Sequence, residues 1–360
     1  MKRVLVLLFL AVVGLPLAAN LSGQDGGDPG AENRELAPFS WRHLDAWFED
    51  HFGFRAALVR WYAESRLFAL GVSPTTAVTK GSDGWFFYAD DWALEDYISA
   101  DPLSPSAIMN WRIAIARAHH WLSARGVAFV FFIAPDKHAI YSEQMPPTIR
   151  RINAVSRTDQ LYGSLQDMRV VVDVRPRLFE QRAHERIYQK IDTHWNDRGA
   201  LVAYQTVIRA ARLQAPAIPP EWQRDDFAPV TRDIEAGDLA GMMGLKRVLR
   251  EEDLALVPKR QRRARVVEPP GESPEAEVGR LVTEIPGSTL PRAVIFRDSF
   301  TSRLVPFLSE HFSRAVYLWQ NDFDAEVIRE EQPDVVIQEI VGRHLYGFIP
   351  SPELVPEARR

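Results

Sequence analysis

Cysteine is absent from all 360 residues of this chain. Its absence excludes disulfide staples, thiolate nucleophiles and Cys-type zinc sites. A lipid-modified cysteine after the N-terminal segment is excluded for the same reason. A surplus of positive charge is also lacking: 43 Lys and Arg stand against 48 Asp and Glu, a formal net charge of −5. Nucleic acid is therefore not an expected partner, because phosphate binding needs a basic face. A local basic run, Lys259-Arg260-Gln261-Arg262-Arg263, is short and reads as a solvated loop. No internal repeat is visible, which sets aside solenoids and propellers.

What is present is globular in character. Hydrophobic residues make up 46% of the chain, charged ones 25%, and ten Trp and nineteen Phe are among them. Such a chain buries a core large enough to fold without disulfides, and it is too apolar for disorder. At the N-terminus, Met1-Lys2-Arg3 precedes an apolar stretch from Val4 to Ala19 broken by Gly14 and Pro16. A basic start, a short apolar segment and small residues near Ala18-Ala19 predict an export signal over 1–22. A comfortable membrane span takes about 20 apolar residues, so a cleaved signal and an uncleaved anchor are both open. A Gly/Asp-rich linker over 23–31 follows.

Periodicity then divides the chain. Glu32 to Ala69 reads as helical with an interruption at Gly53, and Val78 to Tyr88 reads as a hairpin around Gly81 and Asp83-Gly84. Ser104 to Arg125 is a helix with Ser104-Pro105 as its start and Gly126 as its stop. The run Val127 to Ala134 is continuously apolar, as a central parallel strand is. Further strands are expected at Val170–Val174, Ala293–Phe296, Ala315–Trp319 and Asp334–Ile340. Helices are expected between them, at Pro176–Glu185, Leu201–Leu213, Val305–Phe312 and Ala325–Glu331. Strand alternating with helix predicts an α/β fold with a mostly parallel sheet and helices on both faces. The stretch over 216–288, rich in Pro, Arg and Glu, reads as an irregular insertion, and 349–360 as a tail.

Reactive groups in such folds collect at the carboxyl ends of the strands. Asp298-Ser299-Phe300 directly follows a predicted strand, where a serine hydroxyl is exposed and helix N–H groups lie near it. The same residues also fit an ordinary helix cap. Asp192-Thr193-His194-Trp195 offers a general base, His194, with a carboxylate, Asp192, two residues earlier to orient it. A structural histidine is the alternative. Trp195 could wall such a site. Pro135-Asp136-Lys137 through Tyr141 closes the strongest strand, which makes Lys137 and Tyr141 candidates for substrate contact. The remaining histidines lack a comparable setting, so neither a metal site nor a cofactor is expected.

Taken together and in order, these segments resemble the alginate O-acetyltransferase family of SGNH-like proteins, the AlgJ/AlgX group. The resemblance runs over roughly 32 to 348 and rests on a series of short segments. They are Glu32-Asn33-Arg34, Asp50 to Arg55, Gly81 to Tyr88, Pro135-Asp136-Lys137 with Tyr141, Asp192 to Trp195, Gly237 to Ala240, and Asp298-Ser299-Phe300.

The resemblance implies an SGNH-hydrolase-like three-layer α/β/α domain over 32–348, with an N-terminal helical extension and a permuted motif order. In that family Asp-x-His-Trp precedes the serine, the reverse of ordinary SGNH hydrolases. It implies Ser299 as nucleophile, His194 as base and Asp192 as its orienting acid. It further implies a periplasmic protein, soluble or tethered by its N-terminal segment, that acetylates an exopolysaccharide. The acetyl donor implied is a membrane-bound O-acyltransferase, and other exopolysaccharide export proteins are implied partners. One departure concerns Arg297, which replaces the Gly of the usual Gly-Asp-Ser and becomes a candidate substrate contact. The second expected departure is that a C-terminal carbohydrate-binding module of the AlgX type is not anticipated. An acetylesterase, a lipid or peptide hydrolase, and a non-catalytic scaffold of an export complex are the alternatives.

Overall fold

The longest apolar runs become strands buried along their whole length. Ala128–Ala134 (β3) and Val335–Val341 (β11) are buried at every position and pair in parallel, Ala128 against Val335 and Ala134 against Val341. A computed structural model of the chain describes residues 2–21, 37–51, 53–235, 237–268 and 279–351. The expected linker over 23–31, Glu32-Asn33-Arg34, Phe52 and the tail beyond 351 lie outside the described residues. The chain forms two compact units. One comprises Met1–Ala89, Lys190–Asp192 and Asp233–Glu251; the other comprises Asp90–Gln189, Thr193–Arg232 and Glu252–Arg360.

The first unit begins with helix α1 (Lys2–Leu21). Among the described residues no helix is long and apolar enough to cross a membrane. Helices α2 (Leu44–His51) and α3 (Arg55–Glu64) follow, broken where Phe54 takes a left-handed φ of 64°. Strands β1 (Val78–Lys80) and β2 (Phe86–Tyr88) form the expected hairpin, with Val78 opposite Tyr88. Ile191 packs in this unit's core with Leu67, Phe86 and Leu239.

The second unit holds a seven-stranded sheet. After α4 (Ala93–Ile98) comes α5 (Pro105–Ser123), capped by the Ser104 side chain, which accepts from the Ala107 N–H; Gly126 ends that turn at φ 73°. β3 leads through α6 (Lys137–Ile140) and α7 (Arg157–Leu165) to β4 (Val171–Val172), then α8 (Arg175–Arg182) and α9 (Asp197–Gln214). The later strands are β7 (Arg265–Glu268), β8 (Arg280–Glu284), β9 (Arg292–Arg297) and β10 (Arg314–Trp319), with β11 last. Between them lie α11 (Ser299–Ser302), α12 (Val305–Leu308) and α13 (Ala325–Glu331). The sheet order is β4-β3-β11-β9-β10-β8-β7. Its first five strands run parallel, and β8 and β7 close one side antiparallel.

Side chains alternate along a strand, so each face draws its own cover. Phe129, Phe131, Phe296 and Val336 share a buried cluster with Trp111 and Trp121 of α5 and Leu161 of α7. α9 also packs on β3. Its Gln214 side chain donates to Phe129 O at 2.7 Å and accepts from Phe129 N–H at 3.1 Å.

The stretch expected as irregular over 216–288 contains order. β5 (Phe227–Glu235) pairs with β6 (Arg250–Pro258), α10 (Asp238–Met242) lies between them, and β7 and β8 join the main sheet. Sequence reasoning misses these strands because charged residues begin and end several of them. The burial of β6 also alternates at its start, and every position of β7 is exposed. Edge strands carry such residues because one side of their ladder faces solvent.

Candidate active site

β9 is buried from Ala293 to Arg297 and stops at Asp298, which caps α11. Oδ1 of Asp298 accepts from Phe300 N–H at 2.9 Å, and Oδ2 accepts from the N–H of Val341, the last residue of β11, at 2.6 Å. Ser299 is thereby the first helical residue and partly exposed, with Phe300 and Thr301 buried behind it. The first amides of a helix have no intrahelical acceptor, so the Ser299 N–H is positioned to donate elsewhere. Loops after β3 and β9 leave the sheet in opposite directions, to β4 and β10, on either side of β11. That is the switch point at which open α/β sheets bind ligands.

The histidine loop is closed by its own backbone. Tyr188 and Trp195 form an antiparallel bridge, Gln189 N–H donates to His194 O at 3.2 Å, and Asn196 N–H donates to Ile187 O at 3.0 Å. The Asn196 side chain then caps α9, accepting from Arg198 and Gly199 N–H groups at 3.1 Å each. Only glycine fits at 199, because a Cβ there would lie 2.3 Å from Ile187 O.

Phe300 joins this loop to the serine turn. The His194 and Phe300 rings lie 5.0 Å apart, and Trp195 meets Phe300 edge-on at 5.1 Å. Trp195 Nε1–H donates to Phe300 O at 3.1 Å. Phe300, the residue that follows Ser299, thus contacts both His194 and Trp195. Asp192 belongs to the first unit, where its Oδ2 accepts from Asp238 N–H at 3.3 Å and Ile191 O accepts from Ala240 N–H at 3.2 Å. Gly237 makes that approach possible, since a Cβ there would sit 2.2 Å from Ile191 O.

The four residues expected to touch substrate are all buried, and each is engaged by the protein itself. Lys137 is 2% exposed and its Nζ donates to Gln189 O at 3.0 Å. The Tyr141 hydroxyl accepts from Ile187 N–H at 3.0 Å, and burial raises its phenol above the usual range. Trp195 is fully inaccessible. Arg297 donates to Asp298 O at 3.2 Å and Ser302 Oγ at 2.9 Å, with its guanidinium 4.7 Å over the Trp319 ring. These residues shape the histidine loop and the serine turn. A cation, a phenol and an indole satisfy backbone carbonyls and amides as readily as they bind sugars, and sequence does not separate the two uses.

A cavity of about 230 Å³ lies in the same unit, with Asp96, Asp136, His138, Arg151 and Arg175 among its lining. Asp96, Asp136 and His138 place ligand-type atoms within 4.8 Å of one another. Each has a polar partner: His138 Nε2 meets Asp96 Oδ2 at 3.0 Å, and Asp136 accepts from Arg343 Nη1 at 2.7 Å and Arg343 N–H at 3.0 Å.

A family profile described as SGNH hydrolase-like domain, acetyltransferase AlgX, matches residues 78–339. The chain belongs to this family. Among solved structures it is similar to Bacillus cereus PatB1 with a sulfonyl adduct, at 16% identity and a TM-score of 0.55, covering 74% of this chain and 97% of that one. A DHHW family protein from Eubacterium siraeum is similar at 16% identity and a TM-score of 0.53, covering 78% and 95%. The O-acetyltransferase domain of Pseudomonas putida AlgJ is 19% identical with a TM-score of 0.48, covering 75% and 92%. No curated protein matches the chain. Membership of the AlgX-type acetyltransferase family accounts for the central, mostly parallel sheet and supports polysaccharide O-acetylation at the level of the family. The packing of Phe300 against both His194 and Trp195 is the contact that sequence reasoning passes over. An aromatic directly after a strand-end serine was the available signal.

Proposed function

We propose that this protein is a polysaccharide O-acetyltransferase working through an acetyl-serine at Ser299. The observation that carries the reading is the packing of the His194 ring against Phe300, beside Ser299 at the carboxyl end of β9. In this reading His194 takes the Ser299 proton as the hydroxyl attacks the acetyl carbonyl. Asp192, two residues before His194, orients the imidazole and stabilises its cation. The Ser299 N–H serves the oxyanion, since the Phe300 N–H is taken by Asp298. Collapse of the tetrahedral intermediate breaks the bond to the leaving group, which takes its proton from His194. A sugar hydroxyl then attacks the acetyl-serine, gives its proton to His194, and Ser299 is reprotonated as it leaves.

The acceptor in this proposal is an exopolysaccharide of the alginate kind. The donor is a membrane-bound O-acyltransferase that passes acetyl groups outward, with other export proteins as neighbours. Such a role fits a periplasmic protein, soluble or held by its N-terminal apolar segment. Mass spectrometry after incubation with an acetyl-ester pseudo-substrate tests the chemistry. An acetyl adduct on Ser299, absent in Ser299→Ala and in His194→Ala, is expected. Unchanged polymer acetylation by Ser299→Ala would overturn the assignment. A sulfonyl fluoride that labels Ser299 and blocks the adduct gives a second reading of the same nucleophile.

A further inference from the structure

Ser299 sits between two residues that converge on one buried carboxyl group. Glu339, on β11 and wholly inaccessible, receives the Asp298 N–H at 3.0 Å and the Thr301 hydroxyl at 3.0 Å, both on Oε2. The turn from Asp298 to Thr301 is therefore tied to the interior strand β11 from both sides of Ser299. Val341, two residues further along β11, adds a third tie through its N–H to Asp298 Oδ2 at 2.6 Å. We propose that Glu339 is the positioning residue of the nucleophile turn, clamping Asp298 and Thr301 so that Ser299 is held in place for reaction.

A carboxyl group in this position is unusual for a purely structural prop. The strands around it are buried: Glu339 stands level with Phe132 on β3, and its neighbours along β11 are Gln338 and Ile340. A charge placed there is costly unless it is paired. Arg343, two residues past the end of β11, donates to Asp91 at 3.0 Å and to Asp136 at 2.7 Å. His344 Nδ1 lies 3.8 Å from Asp298, the other carboxylate of the pair. A neutral Glu339 fits this setting. Its Oε2 still accepts both bonds, and its own proton is available to the Asp298 carboxylate. Burial, and then the Asp298 charge, hold its carboxyl well above the usual carboxylate range. A glutamine has the same shape and the same neutral acceptor–donor pair, so the clamp needs the geometry and not the charge.

This inference rests on Ser299 being the nucleophile, and the experiment separates the two. Full-length wild type, Glu339→Gln, Glu339→Ala, Thr301→Val and Ser299→Ala are compared for the rate of Ser299 sulfonylation and for turnover of an acetyl-ester pseudo-substrate. Each is measured at a temperature where circular dichroism shows the variant folded. Glu339→Ala should lower both rates about 10- to 100-fold, the penalty for a misplaced reacting group. Glu339→Gln should stay within about threefold of wild type, and Thr301→Val, which removes one neutral hydrogen bond, should fall about two- to tenfold. KM should change little in any of them. If Glu339→Ala does not fold, Thr301→Val against Glu339→Gln carries the comparison. Wild-type rates in Glu339→Ala or in Thr301→Val, or a Glu339→Gln as impaired as Glu339→Ala, would overturn the clamp while leaving Ser299 in its role. An active Ser299→Ala would overturn the nucleophile itself.

Discussion

The imidazole of His194 rests 5.0 Å from the ring of Phe300, tilted by 58°, so the candidate base is seated by the neighbour of the candidate nucleophile. Phe300 is fully buried and also receives the edge of Trp195. Phe300→Ala removes this seat and leaves a cavity under the turn. The expected result is a loss of about 3–5 kcal/mol of stability, the usual range for a buried Phe truncated to Ala. A fall in kcat of about tenfold or more should accompany it, with KM within about twofold. Urea denaturation and steady-state turnover of an acetyl ester check the two parts. A variant with wild-type kcat would mean that His194 is held by something other than Phe300.

Arg297 provides a kinetic test of its buried placement. Its guanidinium donates to Asp298 O and Ser302 Oγ and lies over Trp319, all on the protein side of the serine turn. Arg297→Met keeps the apolar stem and removes the donors. Expected are a drop of about 1–3 kcal/mol in stability, from the acceptors left unpaired, and a fall in kcat with KM nearly constant. A large rise in KM with kcat unchanged would return Arg297 to the substrate.

His311 gives the protein an acid limit. Its Nδ1 contacts Pro219 O at 3.2 Å, a group that only accepts, so Nδ1 carries the proton and Nε2 accepts from the Tyr204 hydroxyl. Burial, chiefly, lowers its pKa to about 4. The ordinary imidazole value is about 6.5. The unfolded chain therefore binds this proton first as pH falls. Stability contributed by the neutral ring is complete above about pH 6.5, declines below it, and levels off under about pH 4, a total of roughly 3 kcal/mol. Urea midpoints measured between pH 7 and pH 4 should show this slope in wild type. A His311→Gln variant should lose most of it, and an equal slope in both would assign the acid sensitivity to other groups.

Much of the second unit was legible in the chain. Ala325–Glu331 forms a helix at the residues its periodicity indicates, and the apolar runs at β3, β9, β10 and β11 are strands to within a residue or two. The strands at Arg280–Glu284 and Arg265–Glu268 were not legible, because their ends carry charges and one of them is exposed throughout. For the site, the Asp-x-His-Trp and Asp-Ser-Phe segments stood out by residue type, and the second also by directly following a strand. The direction of each side chain did not. Lys137, Tyr141, Trp195 and Arg297 have the chemistry of substrate contacts and are turned inward.

The sequence by itself determined the α/β alternation, the hairpin over Val78–Tyr88 and the two short segments that bear reactive groups. All of these follow from periodicity and turn chemistry within a few residues, which local sequence encodes directly. Only the tertiary structure decided that Phe300 seats His194, that Arg297 serves the turn, and that Glu339 lies beneath Asp298 and Thr301. Glu339 is separated from those two residues by 41 and 38 positions. Such pairings are set by strand order and register in the sheet, and no local pattern carries that information.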